Sequence, residues 1–286
     1  MVTLQDYNNK VENQWCPGCY NFAILTALKR ALVELQKKPE EICLVSGIGQ
    51  AAKTPQYLRC NYFNGLHGRA LSVATGVCAA NPHLTTIVTT GDGDCYGEGG
   101  NHFLHTIRRN PKFTLIVHNN QIYGLTKGQA SPTTDKGDRT RLQMSGVENY
   151  PLRPLALAII QGCTFVARGF TGDIPHLAKL FVEAIKHPAF SYIDVIQPCI
   201  IWGTRSMNWY KERVYQLPAD FDPSDKQAAL AKAMEWEDKI PVGIIYKAPA
   251  DPVFADRFRS EVGADKLYEA PPPDRSVIRE VLNSYC

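Results

Sequence analysis

Gly91-Asp92-Gly93-Asp94, answered by Asn119-Asn120 one strand later, leaves this chain few folds and fewer chemistries to choose from. The β-branched run Thr85–Thr90 stops at the glycines, as a strand does on entering a tight loop. A helix-compatible segment follows over Gly99–Arg109. A second apolar strand, Phe113–His118, then ends at the asparagine pair. Asp92 and Asn120 are 28 positions apart, close to the ~30 residues of one strand–helix–strand unit. The crossover in such a unit brings both strand ends to one edge of the sheet, where α/β proteins bind ligands. The spacing therefore predicts that one carboxylate and one amide oxygen meet at a single ion.

Magnesium suits that donor set. It takes hard oxygen ligands in an octahedron and seldom draws all of them from protein. Asp92, the Asn120 side chain and a backbone carbonyl near Ile122 are the expected protein ligands, with two diphosphate oxygens and a water completing the shell. Gly91 and Gly93 let backbone approach a phosphate closely. Gly99-Gly100 precede a helix whose N-terminus favours anions.

The pattern resembles the thiamine-diphosphate signature, and the wider text narrows it. Trp15–Cys19 (WCPGC), Ser46–Gly49 (SGIG), Gly65–Leu71 (GLHGRAL), Gly91–His102, Asn119–Gln129 (NNQIYGLTKGQ) and Gln197–Cys199 (QPC) occur in that order. Together they resemble the β subunit of 2-oxoacid:ferredoxin oxidoreductases, especially the 2-oxoglutarate type, over most of residues 12–245. The resemblance implies an enzyme that oxidatively decarboxylates a 2-oxoacid, giving an acyl-coenzyme A, carbon dioxide and reduced ferredoxin. It implies thiamine diphosphate and magnesium as cofactors, and an α subunit, ferredoxin, coenzyme A and the 2-oxoacid as partners. Ile48, His67, Gly68, Gly91, Asp92, Gly93, Asp94, Asn120, Ile122, Gly124 and Leu125 are the implied cofactor-binding positions. A carboxylate serving the aminopyrimidine end of the cofactor is not evident, because Glu98 sits beside the phosphate loop. The family takes that glutamate from the α subunit, so this chain is expected to be inactive alone.

Two further residues are catalytic candidates. His67, in the loop before a small-residue helix, is placed to meet the diphosphate; a helix cap is the plainer alternative. Lys127 is flanked by Gly124 and Gly128, and its charge suits a substrate carboxylate or coenzyme A; a solvated loop lysine is the alternative. Two other functions compete with the main reading. A subunit of a non-oxidative thiamine-diphosphate-dependent decarboxylase accounts for GDGD and NN but leaves WCPGC and QPC unexplained. A phosphate-binding module without catalysis is the third.

Nine cysteines, at 16, 19, 43, 60, 78, 95, 163, 199 and 286, form an odd set with no secretory signal ahead of them. That predicts a reducing cytoplasm rather than a disulfide framework. Cys43, Cys78 and Cys163 lie in apolar or small-residue runs and read as core. Cys16 and Cys19 form a Cys-x-x-Cys just before the predicted helix Asn21–Gln36. Such a pair serves zinc, thiol chemistry or neither. In the family it resembles, this pair, a cysteine directly after SGIG and the late Pro-Cys hold a four-iron cluster. Cys16, Cys19 and Cys199 match, but Gln50 stands at the remaining place. Three outcomes follow: another cysteine (Cys60 or Cys43) substitutes, the cluster is unusually ligated or short of an iron, or it is lost.

With 286 residues, 44% hydrophobic and 21% charged, the chain can bury a full core. A net charge of +3 spread along it gives no basic arm for nucleic acid, and no apolar run approaches a membrane span. The short runs Leu44–Gly47, Thr85–Thr90, Phe113–His118 and Ser191–Gln197 suit strands covered by helices on both faces. An α/β fold with a parallel sheet is expected over residues 1–202. Residues 203–286 read as a C-terminal extension with a helix over Gln227–Trp236, a strand over Val242–Tyr246 and a break at Pro271–Pro273 before a last short helix.

Overall fold

Apolar, β-branched runs set the strands. In chain order these are β1 (Ile42–Ser46), β2 (Asn61–Asn64), β3 (Thr85–Gly91), β4 (Thr114–Asn119), the short hairpin β5 (Ile122–Tyr123) and β6 (Gln129–Ala130), β7 (Phe165–Phe170), β8 (Ser191–Ile196), β9 (Val214–Gln216) and β10 (Ile240–Lys247). The structure, a computed structural model, describes residues 1–285 except 255, 257–265, 271 and 273. Eight strands form one sheet in the order β2-β1-β3-β4-β8-β7-β10-β9. Every residue of β1, β4, β7 and β8 is buried, as a sheet covered on both faces requires.

Helices α1 (Asn21–Glu34), α2 (Ala70–Ala80), α3 (Gly100–Arg109), α4 (Pro154–Ile160), α5 (Ile174–Lys186), α6 (Met207–Lys211), α7 (Lys226–Met234) and α8 (Arg275–Asn283) complete the chain. Alternation along the strands sorts the core into two layers. Ile42, Leu44, Ile116 and Ile193 face α1 and α5, while Cys43, Val45, Leu115, Val117 and Tyr192 face α2, α3, α4 and α7. Helix α1 presents Leu25, Leu28 and Leu32 to the core. Phe22, on the same predicted stripe, instead stays 39% exposed and packs edge-on against Trp15. Beyond α1 the chain reverses at Gln36, whose φ of 51° lies in the left-handed region.

The α/β architecture is the one expected, with a mostly parallel sheet. One pair departs from it: β10 runs antiparallel to β7. A strand added at the edge of a finished parallel set needs no crossover helix, so either direction is open to it. Residues from 203 onward thus extend the central sheet through β9 and β10. A third, small core (Phe170, Ile196, Tyr210, Ile240, Val242) seats them against the ends of β7 and β8. Helix α7 lies where Gln227–Trp236 was predicted, and α8 follows the expected break, although Pro271 and Pro273 themselves lie outside the described residues. Strand β7 was not foreseen because Arg168 interrupts its apolar run. That guanidinium is 3% exposed and donates to the carbonyls of Ala233, Glu235 and Pro241. Among the described residues no helix is long and apolar enough to cross a membrane.

Candidate active site

Strands β3 and β4 are parallel neighbours, with Gly91 opposite His118, so Asp92 and Asn120 leave the sheet at the same edge. Beyond β3 the chain forms a single π-helical turn, Gly93–Glu98, before α3, a distortion that recurs at functional sites. Only glycine fits at position 93, because a Cβ there would lie 2.3 Å from the Tyr123 ring. Asp92 and Asn120 open onto one cleft with about 100 Å³ of space for water. Ile48, His67, Gly91, Gly93, Asp94, Ile122, Gly124 and Leu125 also line it, together with Gly49, Gln50, Glu98, His118 and Tyr123. Gly68 lies just behind this wall, and the exposed Lys127 lies just outside it, in a left-handed turn with φ 76°.

The two acids of the motif are used differently. Asp92 is 1% exposed. Its Oδ2 accepts from Ser131 Oγ (2.5 Å) and Thr133 Oγ1 (2.7 Å). Burial pushes its carboxyl up to about 6, against the pull of those two hydroxyls. Asp94 faces protein donors. Its Oδ1 accepts from the N–H groups of Ile48 (3.2 Å) and Gly68 (2.9 Å), and its Oδ2 from Thr90 Oγ1 (2.6 Å). His67 Nδ1 lies 3.4 Å from the same Oδ1. Asp94 therefore ties the SGIG loop and the GLHG loop to the end of β3. A methyl group at Gly47 would come within 1.9 Å of its carboxylate.

Asn120 and Ile122 are separated by a strained residue. Gln121 has φ 57° and is 4% exposed, a conformation that persists only where its surroundings enforce it. Its Nε2 donates to the Thr133 carbonyl (2.7 Å) and to Asp135 (3.2 Å). Its Oε1 accepts from the hydroxyl of Tyr210 (2.5 Å), and its carbonyl accepts from Thr134 (2.6 Å). Asp135 is also held by Trp236 Nε1 (2.9 Å) and Arg205 (3.2 Å). The C-terminal extension thereby braces the turn that presents Asn120 and Ile122. Asn120 Oδ1 closes the turn by accepting from the Ile122 N–H (3.0 Å). Asn119 points the other way and donates to the buried Asp194 at 3.1 and 3.2 Å. Thr133 Oγ1 lies between Asp92 and Asn119 Oδ1 (2.9 Å), so its single proton serves one of them at a time.

Ser131, Thr133, Gln121 and His118 were not foreseen. The hydroxyl-rich run Ser131-Pro-Thr-Thr-Asp135 was the available signal for the first two. His118 is 1% exposed and bonded through Nδ1 to Asn21 (2.8 Å), while its Nε2 has no partner. Burial lowers its imidazole to about 3, so the ring is neutral.

A second cluster abuts the cleft. Cys199 Sγ lies beside Gly124, where an added Cβ would sit 3.9 Å away, and accepts from the Trp202 N–H (3.4 Å). Cys19 Sγ accepts from Gln197 Nε2 (3.8 Å). Burial pushes its thiol up to about 11, and nearby Cys16 and Cys199 add to the shift. Gln50 lines the cleft with Gly124, and its carbonyl accepts from Trp15 Nε1 (2.7 Å). Cys43, Cys78 and Cys163 are buried core residues, as predicted. Among the described residues, His102 and His105 join no group of potential metal ligands.

A mostly parallel sheet whose strand ends carry Gly-Asp-Gly and Asn-Asn around one acidic cleft defines a thiamine-diphosphate enzyme. Residues 45–195 match the thiamine pyrophosphate enzyme family, C-terminal TPP binding domain. Residues 203–261 match the family formed by the C-terminal part of the pyruvate ferredoxin oxidoreductase beta subunit. The chain is 46% identical over 253 residues, 83% of each protein, to the 2-oxoacid:ferredoxin oxidoreductase subunit beta of Saccharolobus solfataricus. It is 37% identical over 236 residues, 82% of each, to the 2-oxoglutarate synthase subunit KorB of Methanothermobacter thermautotrophicus. Its fold matches a chain of the 2-oxoglutarate:ferredoxin oxidoreductase of Magnetococcus marinus, solved with 2-oxoglutarate, coenzyme A and succinyl-CoA bound. That match has a TM-score of 0.90 at 33% identity, covering 98% of this chain and 96% of that one. The chain belongs to the β subunits of the 2-oxoacid:ferredoxin oxidoreductases.

Proposed function

We propose that this chain, with an α subunit, converts 2-oxoglutarate and coenzyme A to succinyl-CoA and carbon dioxide. The two electrons released pass to two molecules of ferredoxin. One observation carries the cofactor chemistry. The cleft is lined by Asp92, Asp94 and Glu98, and among its described lining residues there is no lysine or arginine. A diphosphate entering such a cleft meets only negative charge unless a divalent cation comes with it. Asp92 is buried, and the Ser131 and Thr133 hydroxyls that donate to its Oδ2 carry no charge, which suits its carboxylate to a divalent cation. Magnesium held by Asp92, Asn120 Oδ1 and the Ile122 carbonyl fits that need.

Thiamine diphosphate, when bound, supplies the nucleophilic carbon and electron sink for decarboxylation. The chain's own residues bind and orient it. Ile48, Gly49, Gly91 and Gly124 offer backbone at the wall, and His67, 3.4 Å from Asp94, would meet the diphosphate. Lys127 stands at the rim, where a cation suits the distal carboxylate of 2-oxoglutarate or the phosphates of coenzyme A. The exposed Glu98 is hydrogen-bonded by the Tyr123 hydroxyl (3.3 Å) beside the phosphate loop, so a carboxylate for the aminopyrimidine must come from the α subunit. Cys16, Cys19 and Cys199 would hold an iron–sulfur group, which would supply an exit for the electrons. Cys16 and Cys199 act electrostatically on the Cys19 thiol, and N–H donors from Gln197 and Trp202 meet the sulfurs of Cys19 and Cys199, which supports that reading.

Anaerobic assays of reduction of a one-electron acceptor test this reading. The isolated chain is expected to show no turnover. The α–β complex with thiamine diphosphate and magnesium should reduce the acceptor with 2-oxoglutarate and coenzyme A. Turnover by the isolated chain contradicts the reading, and carbon dioxide release without acceptor reduction would favour the non-oxidative alternative. A preference for pyruvate would refute the substrate assignment.

The brace on Gln121 gives a separate prediction. Tyr210→Phe removes one hydroxyl and leaves Gln121 Oε1 buried without a donor, a loss of about 1–3 kcal/mol. Because that loss falls on the metal turn, thiamine diphosphate affinity is expected to drop roughly tenfold, equivalent to about 1.4 kcal/mol. Turnover at saturating cofactor should stay near wild type. Calorimetric titration of the complex reads this directly, and an unchanged affinity would rule out the brace.

A further inference from the structure

We infer that Cys16, Cys19 and Cys199 form a three-thiolate iron–sulfur site with the Gln50 carboxamide at its fourth corner, so that three irons are held firmly and a fourth exchangeably. The inference rests on the iron–sulfur reading above and concerns what the fourth corner does to it. The elements around the site meet through side chains. Trp15 Nε1 bonds the Gln50 carbonyl at 2.7 Å, and Gln50 lines the same cleft as Gly124, beside which Cys199 Sγ lies. A Cβ on Gly18 would lie 3.7 Å from Ile200 Cδ1, which sets the Cys-x-x-Cys turn against the loop after Cys199. Gln197 reaches Cys19 Sγ.

The spacing speaks against a single ion. Zinc–sulfur bonds of about 2.3 Å keep any two sulfurs on one zinc within roughly 4.6 Å. Among the described residues, the one group of three His, Cys, Asp or Glu ligand atoms lying within 4.8 Å of one another is His67, Asp94 and Glu98. The three thiols therefore do not form a ready-made single-ion set. Among the described residues, Cys60 and Cys43, the thiols nearest in sequence, are engaged with each other instead. Cys60 is bonded by the Leu44 N–H, and Cys43 is the thiol that acts on it. The thiols acting on Cys19 are Cys16 and Cys199.

Gln50 Oε1 is buried and has no hydrogen-bond partner. Such an atom costs free energy unless something at the site uses it. A neutral amide oxygen binds iron far more weakly than thiolate, which makes the iron at that corner the one that leaves. Loss of one ferrous ion from a dicationic four-iron core leaves a neutral three-iron core, with no electron transferred. A one-electron oxidant then converts that core to its paramagnetic monocation.

The test uses the α–β complex reconstituted anaerobically with ferrous iron and sulfide, then desalted with or without EDTA. Iron is counted as the excess over a Cys19→Ser, Cys199→Ser double variant, which removes any contribution from the partner. The wild type is expected to keep three irons per four sulfides after EDTA and to show the three-iron EPR signal on ferricyanide oxidation. Gln50→Cys is expected to keep four irons and to lose that signal. Four irons surviving EDTA in the wild type would overturn the inference, as would a Gln50→Cys complex that keeps only three. Iron retained by Gln50→Cys alone would overturn it as well, since the site would then need four thiolates. No iron in any form of the complex would overturn the underlying iron–sulfur reading instead. If Gln50→Cys does not fold, the wild-type iron count and EPR signal decide the matter.

Discussion

An Asp92→Ala chain is expected to fold and assemble with its α subunit yet fail to hold thiamine diphosphate. Two opposing effects set that outcome. In the metal-free complex the carboxylate is buried, and its shift from 3.8 up to about 6 means that ionisation opposes folding by roughly 3 kcal/mol at neutral pH. Alanine removes that cost but leaves Ser131 and Thr133 without their acceptor, a loss of about 1–3 kcal/mol. The metal-free complex should therefore melt close to the wild type. Binding has no such compensation, since the acid-lined cleft loses its one fully buried carboxylate ligand. Affinity is expected to fall at least a thousandfold, about 4 kcal/mol, and acceptor reduction should fall below detection. Calorimetric titration and thermal melting of the same samples separate the two effects. Near wild-type affinity in Asp92→Ala would show that the cation does not sit there.

Asp94→Ala is the second large effect, and it acts on the protein rather than the ligand. Ile48 N–H, Gly68 N–H and Thr90 all donate to this carboxylate, which is 6% exposed. Its removal strands two backbone donors and a hydroxyl, and about 3–5 kcal/mol of stability should go with it. The loops carrying Ile48 and His67 lose their common tie, so cofactor affinity falls together with the melting temperature. Amide hydrogen exchange offers a local measurement. Protection at Ile48 and Gly68 should vanish in Asp94→Ala and survive in part in Asp94→Asn, which keeps one acceptor oxygen. Unchanged protection at both amides would show that the ties carry no weight.

Much of this site is legible in the linear text. Gly91, Asp92, Asn120 and Ile122 belong to turns at strand ends, and their chemistry depends on local spacing. Their places followed from the length of one crossover unit. Cys43, Cys78 and Cys163 were readable as core from their apolar neighbours alone. Asp94 was less readable. The motif offers two similar acids, and nothing in it says that one faces a ligand while the other faces the Ile48 and Gly68 amides. Strand β7 was hidden because a buried arginine looks like a surface residue until its three carbonyl acceptors are known.

By itself, the sequence determined the class of fold, the edge of the sheet where the cleft opens and the residue types lining it, because periodicity and turn chemistry act between near neighbours. Tertiary structure decided that Ser131 and Thr133 cap Asp92, that Tyr210 and Trp236 brace the turn after Asn120, and that Trp15 holds Gln50. Those partners are 35 to 101 positions apart. They meet only when the sheet closes and the extension folds back on it. Contacts of that kind leave no local pattern, since they arise from packing of whole elements.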